Sequence, residues 1–179
     1  MPDSSQVIRQ YLKDAIAAEQ AFEAQLRSFA QEGDDSEVQF AFAEHAEETR
    51  RQQERLSMRL AALGSGRSGS ESFLSSLPDF APKFAQAGST VDERLLQNLI
   101  TAFCVESGEN AMYEALASVA GAAGDSITES LAREIQAEER RTAEKIWHFL
   151  PTRSKIAFNI LTADEVDPAV ETKVGEGFI

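Results

Sequence analysis

The chain has 179 residues, 30 acidic and 17 basic, for a formal net charge of −13. That length fits one domain whose core can bury most of its apolar side chains. The charge repels phosphate backbones, so no nucleic-acid partner is expected; nor is a membrane, because no basic amphipathic stretch is present and no apolar run approaches the roughly 20 residues of a membrane span.

Four segments carry helical periodicity, and the alternation expected of strands is absent. The polar stretch from Met1 to Gln10 lacks the apolar core of a signal peptide, and a helix is expected from Ser4 to Ala30, capped by Asp3 and stopped near Gly33. Its seam reads Ile8, Leu12, Ala15, Glu19, Phe22, Leu26, Phe29, alternating steps of four and three. The second helix is expected from Ser36 to Leu63, with Asp34 and Glu37 spaced as a capping box and Gly64 as the stop. Val38, Phe42, His45, Thr49, Gln52, Leu56 and Leu63 form its seam.

The third helix is expected from Val91 to Ala122, between a Thr90–Glu93 capping box and Gly124. Leu95, Leu99, Ala102, Glu106, Glu109, Tyr113, Leu116 and Ala120 share its inner face. The one cysteine, Cys104, lies in this apolar stretch and reads as core filler; with no partner for a disulfide, a reducing cytoplasm is the expected compartment. The fourth helix is expected from Ser126, with Glu129 completing a capping box, to Leu150, where Pro151 stops it. Its apolar face holds Ile127, Leu131, Ile135, Ile146 and Phe149. Residues 1–150 thus form a bundle, and 151–179 a tail with a short helix, Thr152 to Leu161, that buries Ile156, Phe158 and Ile160 before an acidic end.

Short turns make hairpins of the first and last helix pairs. The link from Ser65 to Ser89, with a helical turn expected at Phe73 to Leu77 and prolines at 78 and 82, is long enough to run the length of a helix of about 42 Å. Helices two and three then run parallel, so the expected fold is all-α: a ferritin-like four-helix bundle with one long crossover between helices 2 and 3.

The carboxylates carry the chemistry. Glu19, Glu48, Glu106 and the pair Glu138–Glu139 each fall near the midpoint of their helix, and antiparallel helices of similar length bring their midpoints to one height. Glu109 shares a face with Glu106, and His45 stands three residues before Glu48. Glu138 and Glu139 flank their face on opposite sides, and periodicity does not choose between them. Clustered buried carboxylates repel one another and lose hydration, and bound cations remove both penalties. The alternative is that these residues snorkel outward or pair with Arg51, Arg55 or Arg141.

These residues, with Leu12-Lys13-Asp14 and Ala18-Glu19 on helix one, Phe42, His45, Glu48-Thr49, Gln52 and Arg55-Leu56 on helix two, Glu106, Glu109 and Tyr113 on helix three, and Glu138-Glu139 and Thr142 on helix four, resemble the YciE/YciF-like family of ferritin-like proteins. The resemblance covers about Tyr11 to Ile146. It implies a ferritin-like fold, a dinuclear iron-type site, dimerisation and an association with bacterial stress responses. Ferritins and related di-iron oxidases usually carry Glu-x-x-His on two helices; here Arg51 stands three after Glu48 and Thr142 three after Glu139.

Two readings stand. In the first, Glu19, His45, Glu48, Glu106, Glu109, Glu138 and Glu139 supply the ligands for two Fe ions, or Mn, in a stress-associated protein active toward peroxide, oxygen or Fe(II), a small inorganic substrate. In the second, the protein is a metal-free structural or interaction protein with a degenerate site. A homodimer is expected in either, because Phe40, Phe80, Phe84, Ile156, Phe158 and Ile160 are left over once the seams are filled.

Overall fold

A computed structural model describes residues 3–64 and 90–163. Four helices account for nearly all of them: α1 (Ser4–Phe29), α2 (Ser36–Ala62), α3 (Val91–Ala122) and α4 (Ser126–Ala163). The sequence-based positions of the first three hold to within a residue. Every seam residue named for α1 and α3 is buried, as is every one named for α2 except Leu63, which is half-buried.

Two apolar clusters fill the ends of the bundle. One joins Phe22, Leu26 and Phe29 of α1, Val38 and Phe42 of α2, Leu95 and Leu99 of α3, and Ile146 of α4. The other joins Ile8 and Leu12, Leu56, Tyr113 and Leu116, and Ala132 and Ile135. The N-terminal halves of α2 and α3 share the first cluster, so these two helices run parallel. Gly64 and Thr90, the ends that the crossover joins, therefore lie at opposite ends of the bundle. The crossover itself, residues 65–89, lies outside the described residues, as do Phe73 to Leu77, Phe80, Phe84 and the acidic end beyond Asp164. The adjacent pairs are α1 with α2, α3 with α4, α1 with α3, and α2 with α4. That is the ferritin-like arrangement with one long crossover.

Local signals explain the helix ends. Asp3 with Gln6, and Thr90 with Glu93, form capping boxes that satisfy backbone N–H groups in the first turn. Gly64 (φ 78°) and Gly124 (φ 75°) follow their helices in the left-handed region, where a side chain would be strained. Two caps differ from expectation. Asp35, not Asp34, caps α2: its carboxylate accepts from the backbone N–H groups of Glu37 and Val38, 3.1 Å each. Asp125, not Ser126, plays that part for α4, accepting from the N–H of Thr128 at 3.1 Å and from Arg59 at 2.6 Å.

The largest correction concerns α4, which passes through Pro151 and continues to Ala163. Proline lacks the N–H that would reach back four residues, a cost of about 3 kcal/mol or more in a helix interior. Tertiary contacts beyond the proline oppose that cost. Arg153 donates to Asp35 (2.8 Å) and Glu37 (2.9 Å) and lies over the Phe149 ring. Ala157 is buried, whereas Ile156, Phe158 and Leu161 are exposed, so the extension does not bury the apolar set expected of it. Ile127 is exposed as well; the inward residues of α4 are Thr128, Ala132, Ile135, Gln136, Glu139, Thr142 and Ile146, mostly small or polar. Cys104 is exposed rather than core, because Thr101, Ala102, Val105 and Glu106 occupy the inner face and residue 104 lies some 200° around from Ala102.

Asp35 joins two elements, since it caps α2 and receives Arg153. Replacing it with alanine costs about 1–2 kcal/mol, from the cap and the ion pair together. For a chain of this size that is a fall of about 2–8 °C in melting temperature. Asp34→Ala should leave the melting curve within about 2 °C of the parent. Thermal melts of the two variants side by side check the assignment of the cap.

Candidate metal centre

Between the two apolar clusters lies a layer of buried polar side chains: Glu19 of α1, His45, Thr49 and Gln52 of α2, Glu106 and Glu109 of α3, and Gln136, Glu139 and Thr142 of α4. Each sits where its helix's apolar seam crosses mid-height. The long aliphatic residues above and below fix the rotation of each helix, and that rotation turns these groups inward.

Three of them converge. One ligand-type atom each from His45, Glu106 and Glu139 lies within 4.8 Å of the others. His45 Nε2 stands 3.0 Å from Glu106 Oε1. An edge contact with Phe22, centroids 5.4 Å apart at 76°, holds the imidazole in place. Glu109 and Glu19 belong to the same layer, where burial first, and then the charge of Glu139 on both and of Glu19 on Glu109, raises their proton affinity.

The hydrogen bonding of the layer is incomplete in an informative way. Tyr113 donates its hydroxyl to Glu19 Oε1, and Gln52 donates to Glu139 Oε1 at 2.6 Å. Each of these bonds steadies a carboxylate from one side. Glu19 Oε2, both oxygens of Glu109 and Nδ1 of His45 have no hydrogen-bond partner, and Glu106 makes no well-aligned hydrogen bond through either oxygen, although His45 Nε2 stands 3.0 Å from its Oε1. Leaving a buried acceptor unsatisfied costs about 1–3 kcal/mol, so groups in such number are expected only where something else meets them.

Burial is the main cause of the titration behaviour. It holds the carboxyls of Glu19, Glu106 and Glu109 well above the ordinary glutamic range, with neighbouring carboxylates adding to the effect. Glu139 is pushed up to about 7 by burial, against the stabilising bonds from Glu106 and Gln52. A protonated Glu106 can donate to Glu139, so without a cation these two carboxyls share a proton. Burial pushes His45 down to about 3, which keeps the imidazole neutral and its lone pair available at neutral pH.

The remaining candidates lie elsewhere. Glu138 is half-buried and turned to the α2 side of the bundle, where Arg55 and Gln52 donate to it. Of the adjacent pair it is therefore Glu139 that faces inward. Glu48 is also half-buried, and Thr142 donates to it at 3.4 Å. The positions that carry histidine in Glu-x-x-His sites hold Arg51, which is exposed, and Thr142. Gln52, which bridges Glu138 and Glu139, was read as seam packing; its uncharged amide at a central inward position was the available signal.

Carboxyls and one imidazole are buried in the middle of a four-helix bundle of ferritin-like topology, and His45, Glu106 and Glu139 among them could hold a metal ion. The chain belongs to the family described as a domain of unknown function, DUF892, which matches residues 5–157; this is the YciE/YciF-like family. No curated protein matches it in sequence. Among solved structures it is similar to the Escherichia coli stress protein YciF (TM-score 0.73, 23% identity, covering 87% of this chain and 99% of that one). It is also similar to a protein of Xanthomonas campestris (TM-score 0.69, 19% identity, 92% and 100% covered) and to YcfI of Rhodopseudomonas palustris (TM-score 0.70, 22% identity, 82% and 94% covered). At these identities the likeness shows the fold. No described helix is long and apolar enough to cross a membrane.

The raised carboxyls predict how the metal-free protein responds to pH. A glutamate with a raised folded pKa favours folding fully below its unfolded value of about 4.3, and that contribution is lost as pH rises toward the folded value. His45 works in the opposite sense: its contribution is present above about 6.5 and lost as pH falls toward 3. Above about pH 6.5 the imidazole is neutral in both states, and only the carboxyls of the layer still titrate. With chelator present, stability should fall from pH 6.5 to 8.5 by about 1.4 kcal/mol per pH unit for each proton retained only by the folded state. That is about 3–6 °C per unit. Glu109→Gln should raise the melting temperature at pH 8 and flatten the slope. Chelated melts across that range, with a slope no different in the variant, would remove Glu109 from the layer.

Proposed function

We propose that the layer is a two-ion iron or manganese centre held by Glu19, His45, Glu106, Glu109 and Glu139. In this reading the protein is a stress-associated metal protein whose centre acts on peroxide, dioxygen or Fe(II). The observation that carries the reading is the set of buried ligand atoms without partners, concentrated on Glu106, Glu109, Glu19 and His45 in one layer. Four carboxylates supply up to four negative charges and one imidazole a neutral donor, a set that suits hard to borderline divalent ions. When bound, such ions supply one-electron redox chemistry and a site for a small oxygen-containing ligand.

The chain's own residues have distinct parts in this reading. Tyr113 and Gln52 orient Glu19 and Glu139 from behind, as outer partners of metal-binding carboxylates do. Glu106 and Glu109 lie three residues apart on one face of α3, within reach of two neighbouring ions. Arg55 neutralises Glu138 at the edge of the layer and limits the charge that the ions must balance. The apolar clusters above and below exclude bulk water and leave small molecules as the substrates that fit.

The metal-free reading draws on the same two bonds, Tyr113 to Glu19 and Gln52 to Glu139. It leaves Glu109 with no partner on either oxygen and His45 Nδ1 with none, which favours the metal reading.

Metal should stabilise the fold by mass action. At about 100-fold over the dissociation constant the gain is about 2.7 kcal/mol, or roughly 5–10 °C in melting temperature. Mn(II), or Fe(II) without oxygen, should produce this shift at pH 7 and much less at pH 5, where protons compete for the carboxylates. Mg(II) should do little, because it keeps its waters. Glu106→Gln should abolish the shift while the metal-free variant melts no lower than the parent. Elemental analysis of protein purified without chelator gives the stoichiometry; no divalent ion shifting the transition at pH 7 would leave the metal-free reading in its place.

We also infer a homodimer. Phe40, Trp147 and Phe158 are each more than half exposed, a larger apolar set than a monomer of this size ordinarily shows to water. Light scattering at micromolar concentration should give twice the chain mass, and a monomer mass would refute it.

A further inference from the structure

A small cavity opens at the seam between α2 and α4. Its volume, about 20 Å³, is room for about one water. His45 forms part of its wall, so the cavity and the carboxylate layer share that imidazole. The ring presents Nε2 to Glu106, while its Nδ1 is buried and has no hydrogen-bond partner. Glu44, Glu48, Thr142 and Lys145 also line the cavity; the rest of its wall is apolar, with Ala41 the small residue on the α2 side. Exposure grades along the seam: Glu44 is exposed, Glu48 half-buried and Glu139 buried. At the outer end Lys145 reaches Glu44 at 3.5 Å across the mouth.

From this arrangement we propose that the α2–α4 cavity is the entrance through which a divalent cation reaches the layer, with the Lys145–Glu44 ion pair spanning its mouth. A cation entering a low-dielectric bundle must exchange its hydration shell for protein oxygens in steps, because stripping it at once is costly. Glu44 and then Glu48 with the Thr142 hydroxyl offer those oxygens at increasing depth along the cavity, and Glu139 lies behind its wall in the layer, near enough to Glu48 for their charges to interact. Lys145 opposes entry by repulsion, and Glu44 holds it to one side. The Arg55–Glu138 pair stands at the same seam nearer the other end of the bundle, where the guanidinium is part-buried against its partner, unlike the exposed Lys145 ammonium, and is harder to displace.

The inference rests on the metal reading of the layer, and binding kinetics separate the two. The test uses full-length protein stripped with chelator and Co(II) as the probe, with association followed by stopped-flow absorbance at low salt. Ala41→Phe, which fills the mouth, should slow association and dissociation together by at least about fivefold, leaving affinity and stoichiometry unchanged. Lys145→Glu, a surface change that spares the fold, should speed association about fivefold, and the gain should shrink at 0.5 M salt. Arg133→Glu carries the same charge change at the α3–α4 surface, away from the α2–α4 seam, and should have little effect. Circular dichroism checks that each variant is folded. If the parent binds Co(II) but Ala41→Phe and Lys145→Glu bind at the parental rate, the entrance lies elsewhere and the metal reading stands. Equal acceleration by Arg133→Glu and Lys145→Glu also overturns the entrance, since net charge alone then sets the rate. If the parent binds no divalent ion, both inferences fall.

Discussion

Four carboxyls and an imidazole withdrawn from water at mid-height of a bundle set the conditions that the rest of this structure has to meet. Each buried carboxylate loses its hydration, and neighbours within a few ångströms add repulsion. Without compensation the layer can persist only by holding protons, and that is the direction in which burial drives Glu19, Glu106, Glu109 and Glu139. The apolar clusters on either side have to carry the fold past that cost. They do so with large side chains: Phe22, Phe42 and Leu99 on one side, Leu12, Leu56 and Leu116 on the other. The division into two clusters follows from the layer, which no apolar contact crosses without meeting a polar group.

The same constraint accounts for the asymmetry between the seams. On the α3–α4 side the helices pack closely along small residues such as Ala117, Ala120 and Ala132, and the polar bridges of that seam, Arg133 and Gln136 to Glu114 and Arg140 to Asn110, flank this close contact. On the α2–α4 side long polar side chains span the gap: Gln52 and Arg55 to Glu138, Arg59 to Asp125 and Thr128, and Lys145 to Glu44. Beside the cavity the bridge is Lys145 to Glu44, an exposed ion pair that contributes little, so the seam can open there at less cost than one filled by interlocking methyl groups. The cavity beside His45 lies at this looser seam.

Much of this was legible in the sequence, and the misses have a common cause. The seams of α1, α2 and α3 follow from hydrophobic spacing alone, and a glutamate in register with leucines, as Glu19 is with Leu12 and Leu26, has to face the same way they do. Spacing fails where two neighbours flank a face equally. Glu138 and Glu139 are 100° apart, and what separates them is Arg55, a residue on another helix that pairs with the first. It fails again at Pro151, where the local rule is sound but Arg153 and its acidic partners on α2 override it. Ile127 and Cys104 mislead because apolar character was taken for inward orientation; along α4 the close approach to α3 gives the inner face to threonine and alanine. In each case the deciding contact comes from a distant part of the chain.

The place of the layer's histidine, His45, bears on which ion the layer would suit. In Glu-x-x-His sites each of two helices adds an imidazole, and two nitrogens bring the set toward zinc and copper in affinity. Here the two following positions are Arg51 and Thr142, and His45 stands a turn earlier on α2, at the wall of the cavity. The donor set that remains is oxygen-rich, four carboxylates to one nitrogen. Affinities for mixed nitrogen and oxygen sites rise from manganese through iron to copper, so a site that gives up nitrogen weakens its hold on the later metals more than on the earlier ones. An oxygen-rich set with flexible glutamate arms would also tolerate a change in ionic radius or charge, with Glu106 and Glu109 free to adjust and Tyr113 and Gln52 keeping Glu19 and Glu139 in place. Such a site is suited to an ion that changes oxidation state during its work. By the same argument, on the metal reading, having one histidine in place of two would bear more on which ion the layer prefers than on whether it binds one, since Glu19, Glu106, Glu109 and Glu139 are all buried.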